Sequence, residues 1–156
     1  MRGILFIAIT IIFYSCIKES NTHYVAYLIN KTNHVIEIRP FYSGVAPLSN
    51  IISLGANETK EIANGNDRGI NSAGAGFTSK YFAGADSCVV IFDNTYKITH
   101  YVNTPTLLNL KYYLYTSTRN IENLKSYYAE TTDINKHSRE NIFKYEFIEQ
   151  DYLDAK

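Results

Sequence analysis

A small antiparallel β-sandwich with a short helix near its C-terminus is the fold class this sequence predicts, and three observations carry the prediction. Runs of four to seven residues rich in Val, Ile, Tyr, Phe and Thr recur between residues 24 and 148, which is strand length rather than helix length. The segments between them are built from Asn, Asp, Gly, Ser and Thr, the residues that supply turn geometry. Helical character is confined to two short stretches, at 120–128 and 149–155.

The elements follow in chain order. Tyr24 to Ile29 (YVAYLI) and Val35 to Phe41 (VIEIRPF) flank Asn30-Lys-Thr-Asn33 and predict a first hairpin. Ile51 to Leu54 and Thr59 to Ile62 flank Gly55-Ala-Asn57 and predict a second turn, and the Asn57-Glu-Thr-Lys60 segment suits an exposed edge because charge discourages edge-to-edge pairing. Asn64 to Gly76 holds four of the eight glycines and little that packs, so a long loop is expected there, followed by a strand over Gly76 to Phe82. Cys88 to Phe92 (CVVIF) reads as the central strand. Asp93-Asn94, which tolerate positive φ, turn it into Tyr96 to Val102 (YKITHYV). Thr104 to Leu110 is a connection. Asn120 to Tyr128 is expected as a helix capped by Asn120, with Ile121, Leu124 and Tyr128 at helical spacing. Ile142 to Ile148 (IFKYEFI) sets Phe143, Tyr145 and Phe147 on one face against Lys144 and Glu146, the signature of a half-buried strand, and residues 149–155 end the chain in a turn of helix. Seven or so short strands with little helix suit an immunoglobulin-like or transthyretin-like sandwich, without the Trp and paired cysteines of true immunoglobulin domains.

Composition narrows the function classes. The chain has 156 residues, 46% of them hydrophobic, enough for one core. Lys+Arg and Asp+Glu both number 15, and no basic run forms a stripe, so no nucleic-acid partner is expected. There is no fixed-period repeat and no low-complexity tract.

The N-terminus carries the most specific signal. Arg2 precedes an apolar stretch from Ile4 to Tyr14, eleven residues long, whereas a spanning helix needs about 20. Ser15-Cys16 follows at once, and no A-x-A cleavage site is nearby. This arrangement resembles the lipobox of bacterial lipoproteins, although Phe13 and Tyr14 stand where that family prefers an aliphatic and a small residue. The resemblance implies cleavage before Cys16, a diacylglyceryl group on its thiol and acylation of the new amino terminus, a multi-chain anchor far firmer than one myristoyl chain. Expected boundaries are a signal peptide over 1–15, a lipidated tether over 16–22 and a single domain over 23–156. Lys18-Glu19 resembles the export signal of some Gram-negative lipoproteins, and the position after Cys16 is Ile rather than the Asp of inner-membrane retention. The expected location is therefore the cell envelope, anchored to the outer membrane and facing either the periplasm or the exterior. The aromatic alternation of the last strand, the Asp151-Tyr152 segment and the Asp93 hairpin together resemble small uncharacterised lipoproteins of Gram-negative bacteria, a likeness that implies no active site.

Motifs that carry chemistry are otherwise sparse. With Cys16 lipidated, Cys88 is the only remaining thiol and no internal disulfide is possible. Cys88 reads first as a small buried hydrophobe; a nucleophilic role would require His100 on the following strand as its base. His23, His34, His100 and His137 form no metal-binding helix motif. Glu146, Glu149, Asp151 and Asp154 lack the spacing of a calcium loop and read as a solvated face. No nucleophile elbow, phosphate loop or dinucleotide fingerprint is present. No metal and no cofactor are expected. Tyr112-Tyr113, Tyr115 and Tyr127-Tyr128 are either core fillers or a stacking surface for sugars. The expectation is a non-enzymatic binding or structural accessory held to the membrane by its lipid, with an envelope protein or glycan as partner. The alternatives are a carbohydrate-binding module using the Tyr-rich loops and a small enzyme using Cys88 and His100.

Overall fold

A computed structural model describes residues 20–69, 82, 84–106, 108–109 and 111–156. Cys16, the apolar leader and all of the strand expected over Gly76 to Phe82 except Phe82 lie outside the described residues, and Phe82 is helical rather than extended. Among the described residues the strands are β1 (Asn21–Asn30), β2 (Ile36–Phe41), β3 (Ile52–Leu54), β4 (Thr59–Arg68), β5 (Ser87–Phe92), β6 (Tyr96–Tyr101), β7 (Tyr112–Tyr113), β8 (Tyr128–Asn135) and β9 (Ser138–Phe147), followed by the C-terminal helix α1 (Glu149–Ala155). They form two sheets, β4-β1-β9-β8 and β3-β2-β5-β6-β7. The core lies between them: Leu28, Ile62, Tyr145 and Phe147 of the first sheet meet Ile38, Val90, Phe92 and Ile98 of the second. The expected all-β sandwich with a C-terminal helix is what the chain forms. Both sheets are mixed, because β9 runs parallel to β1 and β7 parallel to β6.

The hairpin expected at 30–33 does not form, and the turn at 55–57 is present but, like it, joins strands of different sheets. β1 pairs with β4 and β2 with β3, so each turn carries the chain from one sheet to the other. The reason is local hydrogen bonding. Asn30, 1% exposed, donates from Nδ2 to the carbonyls of His34 (2.7 Å) and Gly55 (2.8 Å), and its Oδ1 accepts from the Thr32 amide (3.0 Å) and hydroxyl (2.7 Å). Backbone bonds from Asn30 N to Glu58 O and from Asn57 N to Thr32 O lock the two corners together. A two-stranded hairpin would satisfy its backbone within one sheet; here one buried amide satisfies two corners at once.

Two further expectations change. Residues 64–68 are strand rather than loop: they complete β4, with Gly65 opposite Tyr24. The Tyr24 ring lies over that glycine, and a Cβ at 65 would sit 2.6 Å from the tyrosine oxygen, so the glycine makes room for a ring instead of a bend. The helix expected over Asn120–Tyr128 is a loop with a single 3₁₀ turn at Leu124–Ser126, capped by Asn123. Asn120 and Asn123 accept from the amides two residues on, at Glu122 (2.8 Å) and Lys125 (2.9 Å), a local alternative that competes with helix. Tyr128 then opens β8, an edge strand exposed along its whole length.

The central hairpin follows expectation. β5 occupies the middle of its sheet, and Asp93 and Asn94 adopt φ of 50° and 56° in the turn to β6. Phe143, Tyr145 and Phe147 are buried on one face of β9, and α1 follows at once.

Candidate functional site

Cys88 and His100 are directly opposite in the β5–β6 ladder, so the structure does bring the two together. Both are sealed in the core at 0% and 1% exposure. The His100 Nδ1 accepts the Ile121 amide at 2.9 Å, which places the proton of the neutral ring on Nε2. Burial pushes the imidazole down to about 3. It also pushes the thiol well above its ordinary value, with the Glu122 carboxyl adding to the rise. Activation of a nucleophilic cysteine needs the opposite on both counts. Glu122 itself is 7% exposed, its Oε1 has no hydrogen-bond partner among the described residues, and burial raises it to about 8. Tyr127 closes the same region, its hydroxyl donating to Ile121 O at 3.0 Å.

The acidic C-terminal residues divide. Glu146, Glu149 and Asp154 are exposed, as a solvated face requires. Asp151 is not: at 2% exposure it accepts from Arg119 through both oxygens, Nε to Oδ1 at 2.9 Å and Nη2 to Oδ2, and from the Ile148 amide at 2.8 Å. The Arg119 guanidinium also donates to Glu146 O and lies 5.0 Å over the Tyr145 ring. Asp151 thus starts α1 and anchors it to the loop before β8. The single-strand sequence pattern hides this pair because its partners are 32 residues apart.

The histidines occupy separate places. His23 bridges Glu140 (3.2 Å) and Asn64 (3.0 Å) across the first sheet. His34 bonds Asp93 at 2.6 Å and stacks on Tyr152 with ring centroids 3.6 Å apart, and this hydrogen bond is the main reason that the Asp93 carboxyl is held below its ordinary value. Among the described residues no group of three His, Cys, Asp or Glu side chains is placed to hold a metal ion.

The tyrosines split as well. Tyr127 is core, and Tyr113 packs its ring edge-on against His100 with its hydroxyl on Asp154. Tyr112, Tyr115 and Tyr128 are exposed at 37%, 45% and 66%. The five therefore do not act as a single platform.

A cleft among the described residues lies elsewhere, on the outer face of the five-stranded sheet. Side chains alternate along β2, β5 and β6, so Ile38, Val90 and Ile98 face the core while Arg39, Val89, Ile91 and Lys97 face outward. There they form a cleft of about 620 Å³, closed at one side by the end of α1, where Lys111 Nζ reaches Ala155 O at 3.0 Å. Its floor is Phe41, Val89 and Ile91, and Asn109 bonds Thr99 at 2.7 Å along one wall. Four cationic side chains line it, Arg39, Lys97, Lys111 and Lys156, and no acidic one does. The sequence holds a signal for this cleft. The unbroken run Cys88-Val-Val-Ile-Phe92 marks a strand with apolar groups on both faces, and the second face needs cover.

Comparison with protein-family models, with curated proteins and with solved structures returned no match.

Proposed function

We propose that this protein is a lipid-anchored component of the bacterial cell envelope that binds a ligand in the cleft on the outer face of its five-stranded sheet. The anchoring half of the proposal rests on Arg2, the apolar stretch Ile4 to Tyr14 and Ser15-Cys16. The observation that carries the binding half is the cleft: a concavity in the size range of small-molecule sites, with an apolar floor and converging polar groups. Binding is favoured over turnover because the Cys88–His100 pair is shut inside the core, with the thiol raised and the imidazole lowered by burial.

Complementation of a deletion strain separates the two readings. Cys88→Ser restores whichever phenotype the deletion shows, whereas Ile91→Lys, a substitution on the outer face that leaves the protein folded by circular dichroism, does not. Failure of Cys88→Ser together with success of Ile91→Lys would place function at the buried pair instead.

A further inference from the structure

We infer that the cleft binds a small amphipathic anion, a carboxylate or phosphate head on an apolar body, as a free molecule; this rests on the cleft being the binding site proposed above. Charge is unevenly placed in this molecule. The chain as a whole has as many acidic as basic residues. Yet Arg39, Lys97, Lys111 and Lys156 converge on one concavity. Arg39 is partnered by Glu37 on its own strand. Lys97, Lys111 and Lys156 make no ion pair among the described residues, and the Lys111 ammonium is held only by the Ala155 carbonyl. Cations left in excess around a low-dielectric apolar floor create a local positive potential, and an anion entering there gains more than it would at an open surface.

The floor decides what the anion carries. Val89 and Ile91 are half-buried on the outer side of the central strand, flanked by Phe41, so apolar surface remains available beneath the cations. A fully hydrated ion such as free phosphate would leave that surface uncovered, whereas an alkyl or aromatic body covers it. A bilayer surface fits less well. Membrane-contact sites present protruding apolar side chains to the interface, while these are recessed between Lys97, Arg39 and the end of α1.

The test uses the lipidated full chain in phosphatidylcholine nanodiscs, with the methyl groups of Val89 and Ile91 observed by NMR. Four probes are titrated: octanoate, octyl phosphate, octyl glucoside and glutarate. Saturable shifts are expected with octanoate, with octyl phosphate or with both, and the stronger of the two identifies the head group. Octyl glucoside and glutarate, which lack the charge or the chain, are expected to bind at least about tenfold more weakly. The Lys97→Glu/Lys156→Gln double variant is expected to lose about tenfold in affinity for the anions, and Lys125→Glu none. Octyl glucoside binding as tightly as octanoate would overturn the anionic assignment and leave the cleft a binding site. Shifts produced by phosphatidylglycerol nanodiscs without any probe would overturn it in favour of a membrane contact. Silence of both methyls to all four probes would also overturn it, while the complementation result would stand independently.

Discussion

Asn30 shows how much of this fold hangs on single side chains. Its amide group makes four hydrogen bonds with no capacity left over, and two sheet-to-sheet corners depend on them. Asn30→Ala strands two part-buried carbonyls and the buried amide and hydroxyl of Thr32, so a loss of about 3 kcal/mol is expected in urea unfolding. A loss below about 1 kcal/mol would show that water replaces the amide. Gly65 is the second such position. Gly65→Ala drives a methyl into the Tyr24 ring and is expected to destabilise by about 1–2 kcal/mol. The penalty should largely vanish in a Tyr24→Ser background, since the two residues are cross-strand partners and their effects couple. Neither role was legible in the sequence. Asn30 and Gly65 carry generic turn chemistry, and only the paired strand reveals that one is a buried crosslink and the other a seat for a ring.

Elements were legible in proportion to how far local pattern and burial agree. β5 and β9 stood out because their side chains alternate or run apolar as their burial demands, and the β5–β6 turn because Asp93 and Asn94 suit positive φ. β8 did not, since YAETTDIN is exposed on both faces and offers no apolar alternation. The 120–128 segment misled for the opposite reason: Ile121, Leu124 and Tyr128 have helical spacing, but the Asn side chains satisfy the backbone in turns and Ile121 is buried at the sandwich end instead. The C-terminal helix, only seven residues long, is marginal by itself and stands on tertiary contacts. Asp151 supplies the polar ones to Arg119, and Tyr152 the ring contacts with His34, Phe92 and Tyr96. Asp151→Ala removes the partner of a largely buried guanidinium and the acceptor for the Ile148 amide, and a loss of about 3 kcal/mol is expected, with faster amide exchange confined to α1 and the Arg119 loop. Unchanged exchange in α1 would mean that Tyr152 stacking alone holds the helix.

At the scale of the whole molecule, two opposed buried groups set the pH range of stability. His100 is held at about 3 against an ordinary 6.5, so the unfolded chain takes up a proton that the folded one refuses, and stability falls as pH drops from about 6.5 towards 3. Glu122 is held at about 8 against 4.5, so the folded chain keeps a proton that the unfolded one releases, and stability falls as pH rises from about 4.5 to 8. Between about 4.5 and 6.5 the two slopes cancel and a plateau is expected. Above it the loss is about 1.4 kcal/mol per pH unit, and Glu122→Gln should flatten that alkaline limb and turn the plateau into a continuation of the acid limb up to about 6.5. An unchanged alkaline slope in Glu122→Gln would assign the titration elsewhere. The cleft, by contrast, has no buried titratable group in its lining and faces outward, where an envelope ligand would meet it. The anchor that would hold it there rests on residues 2–16 alone, so it is tested most directly by intact-mass spectrometry of the protein extracted from membranes. The expected species begins at Cys16 and carries a diacylglyceryl group and an N-terminal acyl chain, and Cys16→Ala abolishes it and releases the protein from the membrane pellet. A mature chain with an unmodified Cys16, recovered in the soluble fraction, would contradict the lipoprotein assignment.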